Sequence, residues 1–181
     1  MEIERKYLID EKNLPADLES CRSVLIEQGY LCRKPVVRIR RQDDDYILTY
    51  KSGGLMAREE YNLPLTAEAY EHLLPKADGN LISKKRYLIP LSDGLTAELD
   101  VFDAPFDPLC LAEVEFPDET AARRFTPPDW FGQEVTFSTA YHNSTLSRLP
   151  RESLVDKSFF VVEFDNVIVL RSIPLSCYNK Q

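Results

Sequence analysis

The chain opens Met1-Glu2-Ile3-Glu4-Arg5-Lys6-Tyr7-Leu8-Ile9, and the stretch Glu2 to Ile9 alternates charge with apolar character as a β-strand does. On a strand, residues two apart project to the same side. Glu2, Glu4 and Lys6 therefore share one space, with neighbouring charges about 7 Å apart. Two carboxylates at that spacing repel unless a cation or a polyanion lies between them. The plain alternative is a solvated strand face, and it loses ground as the pattern repeats.

The same alternation recurs along the chain. VVRIRR (36–41) puts Arg38 and Arg40 on one face, and YILTYK brings Lys51 to a strand end. AREEYN gives Arg58 and Glu60, ISKKRYLI gives Lys84 and Arg86, TAELDVF gives Glu98 and Asp100, and AEVEF gives Glu113 and Glu115. Between them stand the apolar residues Ile3, Ile39, Leu99, Val101, Val114 and Phe116, which suit strands. A sheet with one charged and one apolar face normally turns the apolar face inward. Here so many strands carry charge in step that the apolar face is expected to point outward against helices. The interior is then charged and is compensated by ligand, metal and water.

Eight strands are expected, at about 2–9, 24–32, 36–43, 45–52, 56–63, 80–90, 95–102 and 109–116. Asp43-Asp44-Asp45-Tyr46, Gly53-Gly54 and Ser92-Asp93-Gly94 supply the turns. The glycine pair lacks the spacing of a phosphate loop. Helices are expected over 15–21, over 66–74 with Thr66 as N-cap, over 118–124 with Asp118 capping, and over about 143–149. The result is an α+β chain in which helices surround an antiparallel barrel.

Taken as an ordered set, these blocks resemble the CYTH family, the triphosphate tunnel metalloenzymes. The family's E-x-E-x-K signature stands as Glu2-Ile3-Glu4-Arg5-Lys6, followed by IEQGYL (26–31), VRIR (37–40), LTYK (48–51), REEY (58–61), SKKRY (83–87), ELDVF (98–102) and AEVEF (112–116). The likeness covers about residues 1–149, the expected tunnel domain, and leaves 151–181 as a C-terminal extension. It implies an eight-stranded antiparallel β-barrel tunnel whose lumen binds a triphosphate and a divalent metal. It also implies that Glu2, Glu4, Glu113 and Glu115 hold Mg2+ or Mn2+, with Glu60, Glu98 or Asp100 helping a second ion or orienting the attacking water.

The cations divide by chemistry. Arg38, Arg40 and Arg86 offer paired donors to phosphate oxygens, while Lys6, Lys51 and Lys84 act as point charges; Arg58 joins the triphosphate-binding set. Lys6, Glu60 and Lys84 are the expected catalytic groups. Tyr30 and Tyr87 read as lining or packing residues, and Trp130 as the anchor of a loop on the barrel wall.

Composition narrows the classes. With 181 residues, 44% hydrophobic and 29% charged, the chain falls in the range of a single globular domain. No apolar run approaches the roughly 20 residues that cross a bilayer, and the acidic N-terminus lacks the features of a secretion signal, so a cytoplasmic protein without membrane partners is expected. A net charge of −8 argues against nucleic acid, yet it permits a local cationic field around a small-molecule triphosphate. Cys21, Cys32, Cys110 and Cys177 show no zinc spacing and read as thiols. His72 and His142 stand alone.

The favoured activity is hydrolysis of inorganic triphosphate to pyrophosphate and phosphate. Adenylyl cyclisation, hydrolysis of an organic triphosphate such as thiamine triphosphate or a nucleotide, and a non-catalytic polyphosphate or nucleotide sensor stay open. Two departures from the family stand out. Ala140 occupies a place where relatives often carry a basic residue, in Ser138-Thr139-Ala140-Tyr141-His142-Asn143. The tail FFVVEFDNVIVL has strand character, suited to an edge strand, a cover for a tunnel mouth or a homodimer contact.

Overall fold

The computed structural model describes residues 3–52, 59–150 and 154, together with the backbone of 160–164 and 167–171. Eight strands form one sheet: β1 (Glu4–Leu8), β2 (Arg22–Arg33), β3 (Val36–Gln42), β4 (Asp45–Lys51), β5 (Glu60–Pro64), β6 (Ile82–Pro90), β7 (Thr96–Phe102) and β8 (Cys110–Glu115). Their spatial order is β1-β8-β7-β6-β2-β3-β4-β5, and every neighbouring pair is antiparallel. Among the described residues no ladder joins β1 to β5, so hydrogen bonds do not close the ring. The outer edge of β1 is covered instead by the segment 132–135, through Leu8 N–H to Gln133 O at 2.8 Å and Val135 N–H to Lys6 O at 2.8 Å.

The apolar face points outward, as its alternation requires. Tyr7, Leu99, Ala112, Val114 and Phe116 are buried beneath the segments that wrap the sheet, with Phe125, Trp130 and Phe131 packed on them. Each of Leu99, Val114 and Phe116 removed from water stabilises the fold by about 1.5–3 kcal/mol. Arg5 fastens the wrap: its Nη1 donates to Ala122 O and Phe125 O, and its Nε and Nη2 grip Glu134 at 2.9 and 2.6 Å. Trp130 stacks edge-on against Phe131 with ring centres 4.4 Å apart, which anchors the loop on the wall.

Helices are shorter than the sequence suggests. The α1 helix (Ala67–Leu73) is capped by Thr66, whose side chain accepts from Ala69 N–H, and α2 (Glu119–Arg124) is capped by Asp118 through Ala121 N–H. The last helix, α3, spans only Asn143–Leu146. The helix expected over 15–21 is a single 3-10 turn, Leu18–Ser20; only Leu18 there is buried, too little apolar stripe to hold a longer helix. Gly79 adopts φ 78° where its backbone passes Ser147 O, which a Cβ would meet at 2.1 Å. That approach lets Asn80 N–H bond Ser147 O and Asn80 Nδ2 bond Leu149 O at 2.7 Å, docking the α3 segment.

The turn at Asp43-Asp44 lies between β3 and β4, and that at Ser92–Gly94 lies between β6 and β7. Gly53-Gly54 lies outside the described residues. The tail forms two strands, β9 (Phe160–Phe164) and β10 (Val167–Arg171), paired antiparallel. Leu154, between the α3 segment and this hairpin, is buried with Ile82, Phe102 and Leu111. No helix among the described residues is long and apolar enough to cross a membrane.

Candidate active site

Residues directly opposite each other in neighbouring strands share a face, so the register decides which charges meet. Glu4 faces Glu115 and Lys6 faces Glu113; Glu113 faces Glu98; Asp100 faces Arg86. Across the sheet, Arg38 lies between Tyr30 and Thr49, and Arg40 between Gln28 and Ile47, while Lys51 faces Glu60. The charged positions of β1 and β3 to β8 thus share one inner face, to which β2 brings Gln28 and Tyr30. Glu2 and Arg58 fall outside the described residues.

One half of that face, formed by β1, β8, β7 and β6, is internally neutralised. Lys6 Nζ lies 2.7 Å from Glu113 Oε1 and 3.8 Å from Glu4 Oε1. Arg86 contacts Glu98, reaches Asp100 Oδ1 through Nε at 2.6 Å and Oδ2 through Nη2 at 2.7 Å, and lies 3.2 Å from Glu113. Lys84 closes on Asp100 Oδ2, and the two side chains are 3% and 1% exposed. Burial alone would raise the Asp100 carboxyl, but the attraction and hydrogen bonds of Lys84 and Arg86 outweigh it and hold the group below the ordinary aspartate value. Burial, with Arg86 adding to it, pulls the Lys84 ammonium below the ordinary lysine value despite Asp100. Burial opposes the charged form of Lys6, yet Glu113 and Glu4 prevail and raise it.

The opposite half, β2 to β5, is cationic and largely unanswered. Arg38 Nη2 donates to the Thr49 hydroxyl at 3.4 Å, with Tyr30 also in hydrogen-bonding reach of the guanidinium, and Thr49 in turn donates to Asn62. Among the described residues the buried Nε atoms of Arg38 and Arg40 find no hydrogen-bond partner, nor does either amide atom of Gln28. Burial, reinforced by the charges of Arg38 and Arg86, pulls the Arg40 guanidinium down to about 10. Lys51 meets a carboxylate here, Glu60 at 2.8 Å, and that hydrogen bond holds Glu60 below its ordinary value.

Such a wall suits an anion with several oxygens. A phosphate chain would satisfy the guanidinium N–H groups and supply the missing negative charge. On the neutralised side, Glu4, Glu98 and Glu113 are hard oxygen donors of the kind Mg2+ and Mn2+ favour. Among the described residues no three acidic, His or Cys side chains converge as a metal cage. Asp100 meets Lys84 and Arg86 through both its oxygens in a buried pocket, as their counter-ion. Glu115 is exposed at the rim opposite Glu4.

Other expectations are redirected. Tyr87 faces outward, its hydroxyl donating to Glu19 at 2.6 Å, whereas Tyr30 is buried on the inner face opposite Arg38. The inner face is also less uniformly charged than the sequence pattern suggests: Ile82, Phe102 and Leu111, with Phe106, Val135, Leu146 and Leu154, make one end of it apolar. Gln28 and Thr49 were not singled out by the sequence, although each keeps step with a charged or lining neighbour, Tyr30 and Lys51. Ala140 is buried near α3. Cys21, Cys32 and Cys110 are free thiols.

Comparison with known proteins agrees with this geometry. An inorganic triphosphatase of Nitrosomonas europaea is 40% identical over 149 residues, which is 81% of this chain and 96% of that protein. An inorganic triphosphatase of Acetivibrio thermocellus is 37% identical over 154 residues, covering 82% and 94%. A crystal structure described as an inorganic triphosphatase superposes with a TM-score of 0.67 at 39% identity over 81% of this chain and 94% of its own. With the CYTH domain model matching residues 1–151, and with a single inner face of paired and unpaired charges, the chain belongs to the CYTH domain family.

Proposed function

We propose that this protein hydrolyses inorganic triphosphate to pyrophosphate and phosphate inside the sheet's charged face. The arginine wall carries the proposal: the Nε–H groups of the half-buried Arg38 and Arg40 are out of water and, among the described residues, find no hydrogen-bond partner. Few ligands other than a polyanion repay that desolvation. The same functional assignment of the two similar proteins supports the substrate.

Arg38, Arg40 and Arg86 grip non-bridging oxygens, with Lys51 and Arg58 assigned to the same task. Water attacks the terminal phosphorus in line, a new P–O bond forms, and the bridging P–O bond to the leaving pyrophosphate breaks. Glu60, kept ionised by Lys51, orients the attacking water. Lys84 and Lys6 are assigned to offset the negative charge that grows on the transferred and leaving groups. Glu2, Glu4, Glu113 and Glu115 would hold Mg2+ or Mn2+, with Glu98 beside a second ion, and the metal would supply charge neutralisation for the phosphates. Asp100 keeps Lys84 and Arg86 in place.

We assign the catalytic unit to residues 1–149 and treat 151–181 as an extension, place the protein in the cytoplasm, and infer no nucleic-acid or membrane partner. If a homodimer forms, the exposed strand β5, with Tyr61 and Leu63 about half exposed, is the edge to examine. The test is phosphate release from inorganic triphosphate with Mg2+, with Mn2+ and with chelator, alongside ATP and thiamine triphosphate. Metal-dependent release from inorganic triphosphate is expected. Cyclic AMP from ATP would instead identify a cyclase, and binding without turnover of any of the three would identify a sensor.

A further inference from the structure

Gln28 is 0% exposed, and among the described residues neither its Nε2 nor its Oε1 has a hydrogen-bond partner. It lies on the inner face of β2, directly opposite Arg40 on β3 and Ile82 on β6. Lys84 stands two residues further along β6 on that same face. The following residue, Gly29, has its Cβ position against Ala77 and Leu81 on the outer side, so the alternation turns Gln28 inward. A buried carboxamide with nothing to bond is costly, and an apolar side chain of the same shape would serve the empty wall better. Its presence calls for a partner that arrives with the ligand.

We infer that Gln28 is a substrate-contacting residue of the triphosphate site, a neutral hydrogen-bonding member of a wall otherwise built of charge. The inference rests on the proposed triphosphate chemistry. Nε2 donates to a non-bridging phosphate oxygen that Arg40 also binds. Oε1 cannot accept from an ionised phosphate and takes a guanidinium N–H of Arg40. The amide thus fixes the orientation of the arginine beside it and ties the bound oxygen to a rigid strand. Both orphaned groups, the Gln28 amide and the Arg40 Nε, are satisfied in one step.

The test uses Gln28→Met, which keeps length and volume but removes both hydrogen-bonding atoms. Binding of inorganic tripolyphosphate in chelator is measured by calorimetry, metal-dependent turnover is measured in parallel, and the melting temperature is read without ligand. Losing one or two hydrogen bonds to a charged partner should weaken tripolyphosphate binding by about 10- to 100-fold, while the empty protein melts at the same temperature or higher. Unchanged affinity overturns the inference, and so does a lower melting temperature of the empty variant, because the amide would then be satisfied inside the empty wall by protein or by buried water. A parent protein that neither binds tripolyphosphate in chelator nor releases phosphate from it with metal would overturn the triphosphate reading itself. A parent that binds beside a variant that binds equally well would overturn only the role of Gln28.

Discussion

Replacing Asp100 with Asn probes the wall where its charges are most tightly coupled. The change keeps the shape, but it leaves Lys84, 3% exposed, without its carboxylate and turns one of the two oxygens that accept from Arg86 into a donor. Arg86 retains Glu98 and Glu113, so Lys84 bears most of the loss. Breaking a buried pair from one side costs about 3–5 kcal/mol. Lys84 can escape by shedding its proton, which for an ordinary lysine at pH 7 costs about 4–5 kcal/mol, so the two bounds agree. For a domain of this size that corresponds to a fall in melting temperature of roughly 6–20 °C. Urea unfolding followed by the fluorescence of Trp130, the single tryptophan, reads the change directly. Adding Lys84→Met to Asp100→Asn should recover much of the loss, since apolar replacement of a whole buried pair is often neutral. Acid sensitivity should change as well. The native Asp100 carboxyl lies below its ordinary value, so its contribution is present above the unfolded value near ~3.9 and disappears as pH falls through the native one; the variant lacks that acid limb. A single variant within about 1 kcal/mol of the parent would refute the counter-ion assignment.

Glu113→Gln should abolish metal-dependent turnover while the purified protein keeps its circular-dichroism spectrum, because the carboxylate lies between Lys6 and Arg86 on the inner face rather than in the apolar core. Retained full activity would remove Glu113 from the metal set. Arg40→Ala should lower kcat/KM by about 10- to 100-fold through lost charge-assisted hydrogen bonds; Arg40→Lys should restore only part of it, since an ammonium cannot give the paired donors of a guanidinium. Glu134→Gln should loosen the wrap that Arg5 holds. Because the Arg5 hydrogen bond depresses Glu134, that contribution is present above the ordinary glutamate value and lost as pH falls through the native one, and the parent should show an acid step in limited proteolysis near residue 134 that the variant lacks.

The inner face was legible because charge recurred at every second residue and a strand turns that spacing into a side. Pairing each strand with its neighbour then placed Lys6 against Glu113 and Arg86 against Asp100, which no single block reveals. For that reason the sequence could nominate Asp100 as a metal ligand and could not show that Lys84 and Arg86 meet it. The apolar end followed the same rule unnoticed: Ile82 precedes Lys84 by two residues, Phe102 follows Asp100 by two, and Leu111 precedes Glu113 by two. Gln28 escaped notice because an uncharged amide gives no signal until its neighbours are known to leave it unbonded. Capping residues Thr66 and Asp118 marked their helices well, whereas the segment 15–21 held too little buried surface for more than a turn.

The unanswered arginines of β3 also bear on how long each molecule survives. A wall that is incomplete when empty makes the filled protein the more durable form, by about 2.7 kcal/mol when the ligand stands at a hundred times its dissociation constant. Chains opened by thermal fluctuation are the ones that proteases remove. The amount of this protein in a cell would therefore follow the size of its polyanion pool even with synthesis held constant, so that scarcity of the ligand thins the population of molecules built to receive it.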